Sequence, residues 1–312
     1  MMPLETKNSA FDSSLNELAR VVERVVHPSR EGEPYDAHRR LGPLWALRSS
    51  HPTEPGHALY TPMLCVIAQG AKQLLLGDEC HVYDRGRFLL NSVALPAAGQ
   101  VTQATSARPC LWVMIELDPA LVESVIVDAG RSSAPSKPQH AMEASVLDQP
   151  LLDATLRLTH LLESPQDFDF LAPLALREIV YRLLRSDQEG RLQQIALNGA
   201  RSGHVVRAIE WLRNNFDQPL SIEKLARQSN MSVSALHHHF KTVTSMSPLQ
   251  FQKQMRLQEA KRLMMSGDLD AASAGLQVGY EDASYFNRDY RRFFGLPPRQ
   301  HISRAREGIA GR

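Results

Sequence analysis

Cysteine is scarce in this 312-residue sequence, long apolar runs are absent, and neither sign of charge prevails. Three cysteines in a chain of this length do not make a disulfide framework, so a reducing cytosol is the expected compartment. No stretch reaches the roughly 18 uncharged apolar residues that a membrane-spanning helix needs, and no membrane association is expected. The first residues lack the basic segment, apolar core and small-residue cleavage site of a secretory signal. No glycine-rich phosphate loop and no Gly-x-Ser-x-Gly nucleophile motif occur. Around Glu79-Cys80-His81 there is one histidine, and the next is His140, so the histidine cluster of a metal-dependent β-barrel enzyme is missing. The expectation is therefore no catalytic residues, no metal and no cofactor. What is present, 43% hydrophobic and 22% charged residues, is the mixture of an ordinary globular protein, long enough for about two domains.

The net charge of +1 hides an asymmetry: residues 1–200 carry a net −6 and residues 201–312 a net +7. Chance surface composition is one reading. The other is that only the C-terminal part meets a polyanion.

Residues 13–26 place Leu15, Leu18, Val22 and Val25 at helical spacing. From about 44 to 117 short apolar runs alternate with Pro, Gly, Asn and Asp, the texture of a sandwich or small barrel. In CLWVMIELD, Leu111, Val113, Ile115 and Leu117 share one face while Cys110, Trp112 and Met114 share the other, so both faces read as buried. Asp84-Arg85-Gly86 reads as a turn and residues 130–146 as a loop. Leucine-rich helical stripes follow, through Leu151, Leu152, Leu156, Leu158, Leu161 and Leu162, then Leu171, Leu174, Ile179, Leu183 and Leu184. They are read either as core or as a hairpin that also supports a homodimer. The polar, glycine-bearing span 191–203 is the expected linker between a first domain, 1–190, and a second, 204–306.

The second domain reads as helices throughout. HVVRAIEWLRNNF is followed by a helix capped by Ser221 and another capped by Ser232, SVSALHHHFKTV. Two short helices joined by a tight turn make a helix-turn-helix. Ser247-Pro248 then opens a helix of about 18 residues, some 27 Å at 1.5 Å each. A second pair follows, ending in DASYFNRDYRRFFG, whose packing side reads as Tyr285, Phe286, Tyr290 and Phe293. Leu249, Met255, Leu257, Ala260, Leu263 and Met264 are the expected packing residues of the long helix. Successive major grooves on one face of B-DNA lie about 34 Å apart, so a stiff helix between two such pairs lets one chain read two grooves. Three adjacent histidines, His237, His238 and His239, point about 100° apart on a helix and do not converge on one ion, which disfavours a metal site there.

The segment MSVSALHHHFKTVTSMSPLQFQKQMRLQEAKRLM, with VGYEDASYFNRDYRRFFGLPPRQH after it, closely resembles the DNA-binding domain of AraC/XylS-family transcriptional regulators. PLLDATLRLTHLLESPQDFDFLAPLALREIVYRLL resembles the N-terminal region of AraC-type regulators. The resemblance implies an α+β chain: a cupin-like β-barrel with flanking helices, then an all-α double helix-turn-helix domain. Carried over position by position, it puts Ser234, His237 and His238 on the groove-facing side of the first reading helix, and Ala283, Ser284, Asn287 and Arg288 on that of the second. Lys241 and Arg291 suit phosphate. Arg pairs bidentately with guanine and Asn with adenine, while small side chains admit thymine methyls.

Three departures from the family pattern stand out. Ser245 occupies a position where the family usually has glycine, so a left-handed turn there is expected to be strained. Ala271 and Ala274 replace large aliphatics, and Gly275 lies inside the same short helix. Together these are expected to loosen the second unit by about 1 kcal/mol or more.

These observations predict a sequence-specific transcriptional regulator, more an activator than a repressor. Its expected partners are double-stranded promoter DNA, RNA polymerase and a small organic effector. Trp45, Tyr60, Met63, Trp112 and Met114 are the plausible effector-lining residues. Two rival readings remain: a regulator whose β domain only dimerises, and a cupin-type enzyme fused to a DNA-binding tail. Cys65, Cys110 and Cys80 read either as small apolar side chains or as electrophile sensors.

Overall fold

The computed structural model describes residues 4–29, 35–131, 139–200, 203–267 and 269–310. The remainder of the expected 130–146 loop and 191–203 linker, residues 132–138 and 201–202, lies outside the described residues. The chain divides into two compact units, with the second beginning its helices at His204.

In the first unit, helix α1 (Leu4–Val25) precedes strands β1 (His27–Pro28), β2 (Ala37–Leu41), β3 (Leu44–Ser49), β4 (Gly56–Tyr60), β5 (Met63–Gln69), β6 (Ala71–Leu76), β7 (Glu79–Asp84), β8 (Arg87–Asn91), β9 (Leu95–Gln103) and β10 (Cys110–Glu116). Then come α2 (Pro119–Asp128), β11 (Met142–Val146), α3 (Gln149–His160), α4 (Pro165–Leu184) and α5 (Glu189–Ala200). A seven-stranded antiparallel sheet has the order β1-β2-β3-β10-β5-β8-β11, and a four-stranded sheet the order β4-β9-β6-β7. Gly70, at φ +83°, makes the corner where the chain leaves β5 for β6, and a side chain there would strike the Gln103 carbonyl and Cys110.

Alternation along the strands explains the two apolar faces read from the sequence. Leu44, Ala46, Leu64, Val66, Leu111, Val113 and Ile115 join one core with α1 to α5, through Leu15, Leu18, Leu152, Leu158, Ile179 and Leu183. The opposite face carries Trp45, Met63, Cys65, Trp112 and Met114, placed side by side by the pairings Trp45–Met114 and Met114–Cys65. Helices cover one face and the second sheet lies towards the other, which satisfies both without closure. The expected β-barrel is therefore corrected: no described pairing joins the two sheets.

Local expectations hold in places and fail in others. Gly86 turns at φ +81° between β7 and β8. Residues 142–146, expected as loop, form β11 along β8, with Ala144 opposite Leu89. Within the expected linker, α5 buries Leu192, Ile195 and Ala196 in the first unit's core. Leu171 and Leu174, expected in the α4 stripe, are exposed beside Phe170, whereas Ile179, Leu183 and Leu184 are buried.

The second unit comprises α6 (His204–Asn214), α7 (Ile222–Gln228), α8 (Val233–Thr244), α9 (Pro248–Met265), α10 (Ala271–Gln277), α11 (Ala283–Phe294) and α12 (Pro298–Ala310). Five of these helices, α7 to α11, start at side-chain caps: Ser221, Ser232, Ser247, Asp270 and Asp282 each accept from the amide three residues on. At Ser247 the Gln250 side chain also accepts from the cap amide, completing a capping box before Pro248.

Candidate nucleic-acid interface

α8 and α11 are built as copies of one element. Ser232 and Asp282 cap them, and Ser245 and Gly295 end them in left-handed conformations, at φ 57° and 79°. Ser245 thus adopts the backbone that the sequence expectation called strained. Each helix is held from behind by buried side chains at matching positions, Leu236 and Phe240 in α8, Phe286 and Tyr290 in α11. Phe240 meets Phe251 of α9 edge to face at 5.5 Å. Phe286 lies between Tyr280 and Tyr290, at 5.3 and 5.5 Å.

The opposite faces are open. Ser234, His237, His238 and Lys241 are all exposed along α8, and Ser284, Asn287, Arg288 and Arg291 are exposed along α11 with Ala283 beside them. In both helices the set falls at positions i, i+3, i+4 and i+7, one continuous face. His239 is half-buried, as its turn away from that face requires. The Arg288 guanidinium rests 4.1 Å above the Tyr285 ring. Tyr285, expected on the packing side, is 57% exposed, because it precedes Phe286 and faces away from α9. Leu249, expected to pack, is 62% exposed for the same reason: it sits at the first turn of α9, beside the buried Pro248 and away from Phe251.

Behind these exposed faces, α9 supplies polar anchors that include Lys253 and Arg256. The sequence offered no local signal for either, since their partners lie tens of residues away. Lys253 pairs with the buried Asp289 of α11 at 2.8 Å. Arg256 donates from Nε to the Phe216 carbonyl at 2.6 Å and from Nη1 to the Gly279 carbonyl at 2.7 Å. Its Nη2 reaches the Asp217 and Gln218 carbonyls at 3.2 and 3.0 Å. One side chain thereby ties the connection before α7 to the turn before α11.

The departures in α10 also acquire a reason. A side chain on Gly275 would come within 2.9 Å of the Phe286 ring, so glycine here permits the helix to approach α11 closely. Ala274 is fully buried in the same contact, within a core that includes Leu257, Leu263, Phe286 and Tyr290.

In the first unit, four of the five expected effector-lining residues, Trp45, Met63, Trp112 and Met114, lie on the helix-free face of the large sheet. Trp45 is half-buried at its margin, donating from Nε1 to Glu116 at 3.0 Å beneath the Arg40 guanidinium. Tyr60 approaches from β4, and burial pushes its phenol well above the ordinary range. Cys65 and Cys110 are buried and Cys80 is exposed. Burial raises the Cys65 thiol and pushes Cys110 up to about 12, the opposite of what a reactive thiolate needs. Among the described residues, no group of His, Cys, Asp and Glu is placed to hold a metal ion. No described helix is long and apolar enough to cross a membrane.

Comparison with known proteins places both units. Residues 40–191 match the model of the AraC-type transcriptional regulator N-terminus, and residues 225–304 match a helix-turn-helix domain. The thermoregulatory protein LcrF of Yersinia pestis is 24% identical over 245 residues, 76% of this chain and 87% of that protein. The transcriptional activator RhaS of Escherichia coli is 26% identical over 160 residues, 51% of this chain and 56% of RhaS. The fold is that of ToxT from Vibrio cholerae, with a TM-score of 0.52 at 10% identity, over 83% of this chain and 97% of ToxT. A second ToxT structure, bound to (E)-4-(8-methylnaphthalen-1-yl)but-3-enoic acid, superposes with a TM-score of 0.53 at 9% identity, over 83% of this chain and 97% of that one.

Proposed function

The chain belongs to the AraC family of DNA-binding transcriptional regulators, and from that membership we propose that α8 and α11 read two successive major grooves of a promoter under the control of a small organic effector held by the first unit. The observation that carries the reading is the pair of matched exposed faces, Ser234-His237-His238-Lys241 and Ser284-Asn287-Arg288-Arg291, displayed at equivalent positions of two copies of one element. Base edges fall to His237, His238, Asn287 and Arg288, close contact to Ser234, Ala283 and Ser284, and phosphates to Lys241 and Arg291.

Residues 204–306 are assigned the DNA-binding role, and residues 1–190 effector binding and self-association. Regulation then follows from differential affinity: the effector favours one arrangement of the chain, and that arrangement binds the promoter better. Action in the cytoplasm, activation through RNA polymerase, a homodimer and the absence of enzymatic activity belong to this reading. Activation draws support from RhaS, named a transcriptional activator. An acid-bound ToxT supports an effector for the same fold.

The test is selection of bound sequences from random duplexes by the full chain, repeated with single variants. His238→Ala and Asn287→Ala are expected to relax preference in two groups of base pairs about one helical turn apart, each lost contact costing about 1–3 kcal/mol. Lys241→Ala is expected to weaken every site equally and to flatten the salt dependence. Uniform weakening by His238→Ala and Asn287→Ala would remove the base-reading assignment.

A further inference from the structure

Between the two sheets lies a lysine for which no described side chain supplies a counter-charge. Lys72 on β6 is 9% exposed, and its ammonium lies 4.0 Å from the centre of the Trp112 ring on β10. Among the described residues no carboxylate or carbonyl bonds the ammonium. Trp112 is 3% exposed, and its indole N–H has no acceptor among the described residues. Buried donors are nearly always paired, and an unpaired buried charge is the costlier exception.

The neighbours do not supply the missing charge. Cys65 and Cys110 feel the Lys72 charge, but burial outweighs it and keeps both thiols protonated. Tyr83, opposite Lys72 in the β6–β7 pairing, is buried and its phenol is likewise held neutral. The cation–π contact with Trp112 compensates only part of the lost hydration. Both strands are irregular at these two residues: the β10–β5 register shifts between Leu111 and Trp112, and the β6–β9 register between Ala71 and Lys72. Such bulges re-aim side chains, and these two fall on the two unpaired donors.

We propose that Lys72 and Trp112 form the recognition point for an organic carboxylate between the sheets of the first unit. This rests on the effector reading above and names the effector's chemical class. One ammonium and one neutral N–H match a monoanion. The buried Leu74 and Leu76 of β6, with Ile67 and Met63 of β5, suit an apolar body. A phosphate dianion would find one positive charge and too few donors.

In the full chain, Trp211→Phe leaves Trp45 and Trp112, both on the helix-free face of the large sheet, so emission reports the first unit. The probes are hexanoate, octanoate, decanoate and benzoate, each beside its primary amide. At least one acid is expected to shift this emission with an affinity tenfold or more above that of its amide. Lys72→Met is expected to erase that preference. Without any probe, Lys72→Met is expected to raise the melting temperature, because it removes the unpaired charge. An amide that binds as tightly as its acid, or an acid preference that survives Lys72→Met, overturns the carboxylate class while leaving an effector site standing. Emission unchanged by every acid overturns the class as well. If Lys72→Met also lowers the melting temperature, Lys72 is a structural residue and the interior loses its standing as a binding site.

Discussion

Loss of Arg256 is expected to separate folding of the second unit from the proposed reading of two grooves. Its guanidinium spans carbonyls of Phe216, Asp217 and Gln218 on one side and Gly279 on the other. Arg256→Met keeps most of the stem and removes every donor. Hydrogen bonds from a charged donor contribute roughly 1.5–3 kcal/mol each when fully formed in a partly buried site. Only the contacts at 2.6 and 2.7 Å are short, and the side chain is half-exposed, so the loss is put at about 2–4 kcal/mol. For a unit of this size that lowers the melting transition by about 10–20 °C. The sharper readout is DNA. With the tie gone, the turn before α11 is no longer fixed to the connection before α7, and ordering the two reading helices is charged to binding. Affinity for a duplex with both half-sites is therefore expected to fall at least tenfold more than affinity for a duplex with one. Arg256→Lys is expected to behave much like Arg256→Met in this ratio, since a point charge cannot span both sides. The measurement is a pair of titrations at fixed salt below the melting transition. Equal losses on the two duplexes would refute the reasoning, and so would an unchanged melting temperature.

Three further outcomes follow from the same unit. Ser245→Gly is expected to raise stability by about 1 kcal/mol, because Ser245 ends α8 at φ 57°, a backbone that glycine adopts freely; chemical denaturation measures it. Gly275→Ala is expected to lower stability by about 1 kcal/mol despite the better helix propensity of alanine, since the added methyl meets Phe286 at 2.9 Å; a stabilised variant would show that α10 has room to move. His301 is held below its ordinary 6.5 by burial and by the nearby Lys261 charge, with Tyr290 Oη 3.1 Å from its Nδ1. The unfolded chain therefore takes up this proton first, so stability falls as pH drops from about 7.5 through 6.5 towards the folded-state value. His301→Phe is expected to reduce that pH slope in denaturation series, and an unchanged slope would assign it to other groups.

The local elements of this protein were legible because their causes are local. Ser221, Ser232 and Ser247-Pro248 announce helix starts through bonds to amides three residues away. The outward residues of α8 came from the family resemblance, and the 3.6-residue period agrees with them, since Leu236 and Phe240 pack on the other side. In α11 the resemblance placed Asn287 and Arg288 outward, while the apolar pattern misassigned Tyr285, because a period identifies a face only to within one neighbour. Partnership over distance was not legible. That residues 142–146 pair with β8, that α5 packs into the first core, and that the sheets stay separate depend on which strands meet. A strand's alternation names two faces without naming the occupant of either. Arg256 illustrates this in the second unit, reaching carbonyls about 40 residues upstream and about 20 downstream. Lys72 and Trp112 illustrate it in the first. In sequence they are one lysine in a short strand and one tryptophan in another, and only the tertiary structure brings the ammonium 4.0 Å from the ring and takes both side chains largely out of water. Local chemistry determined the helices and their outward faces, whereas the tertiary structure decided which polar groups were taken out of water together, because desolvation depends on what packs on every side at once.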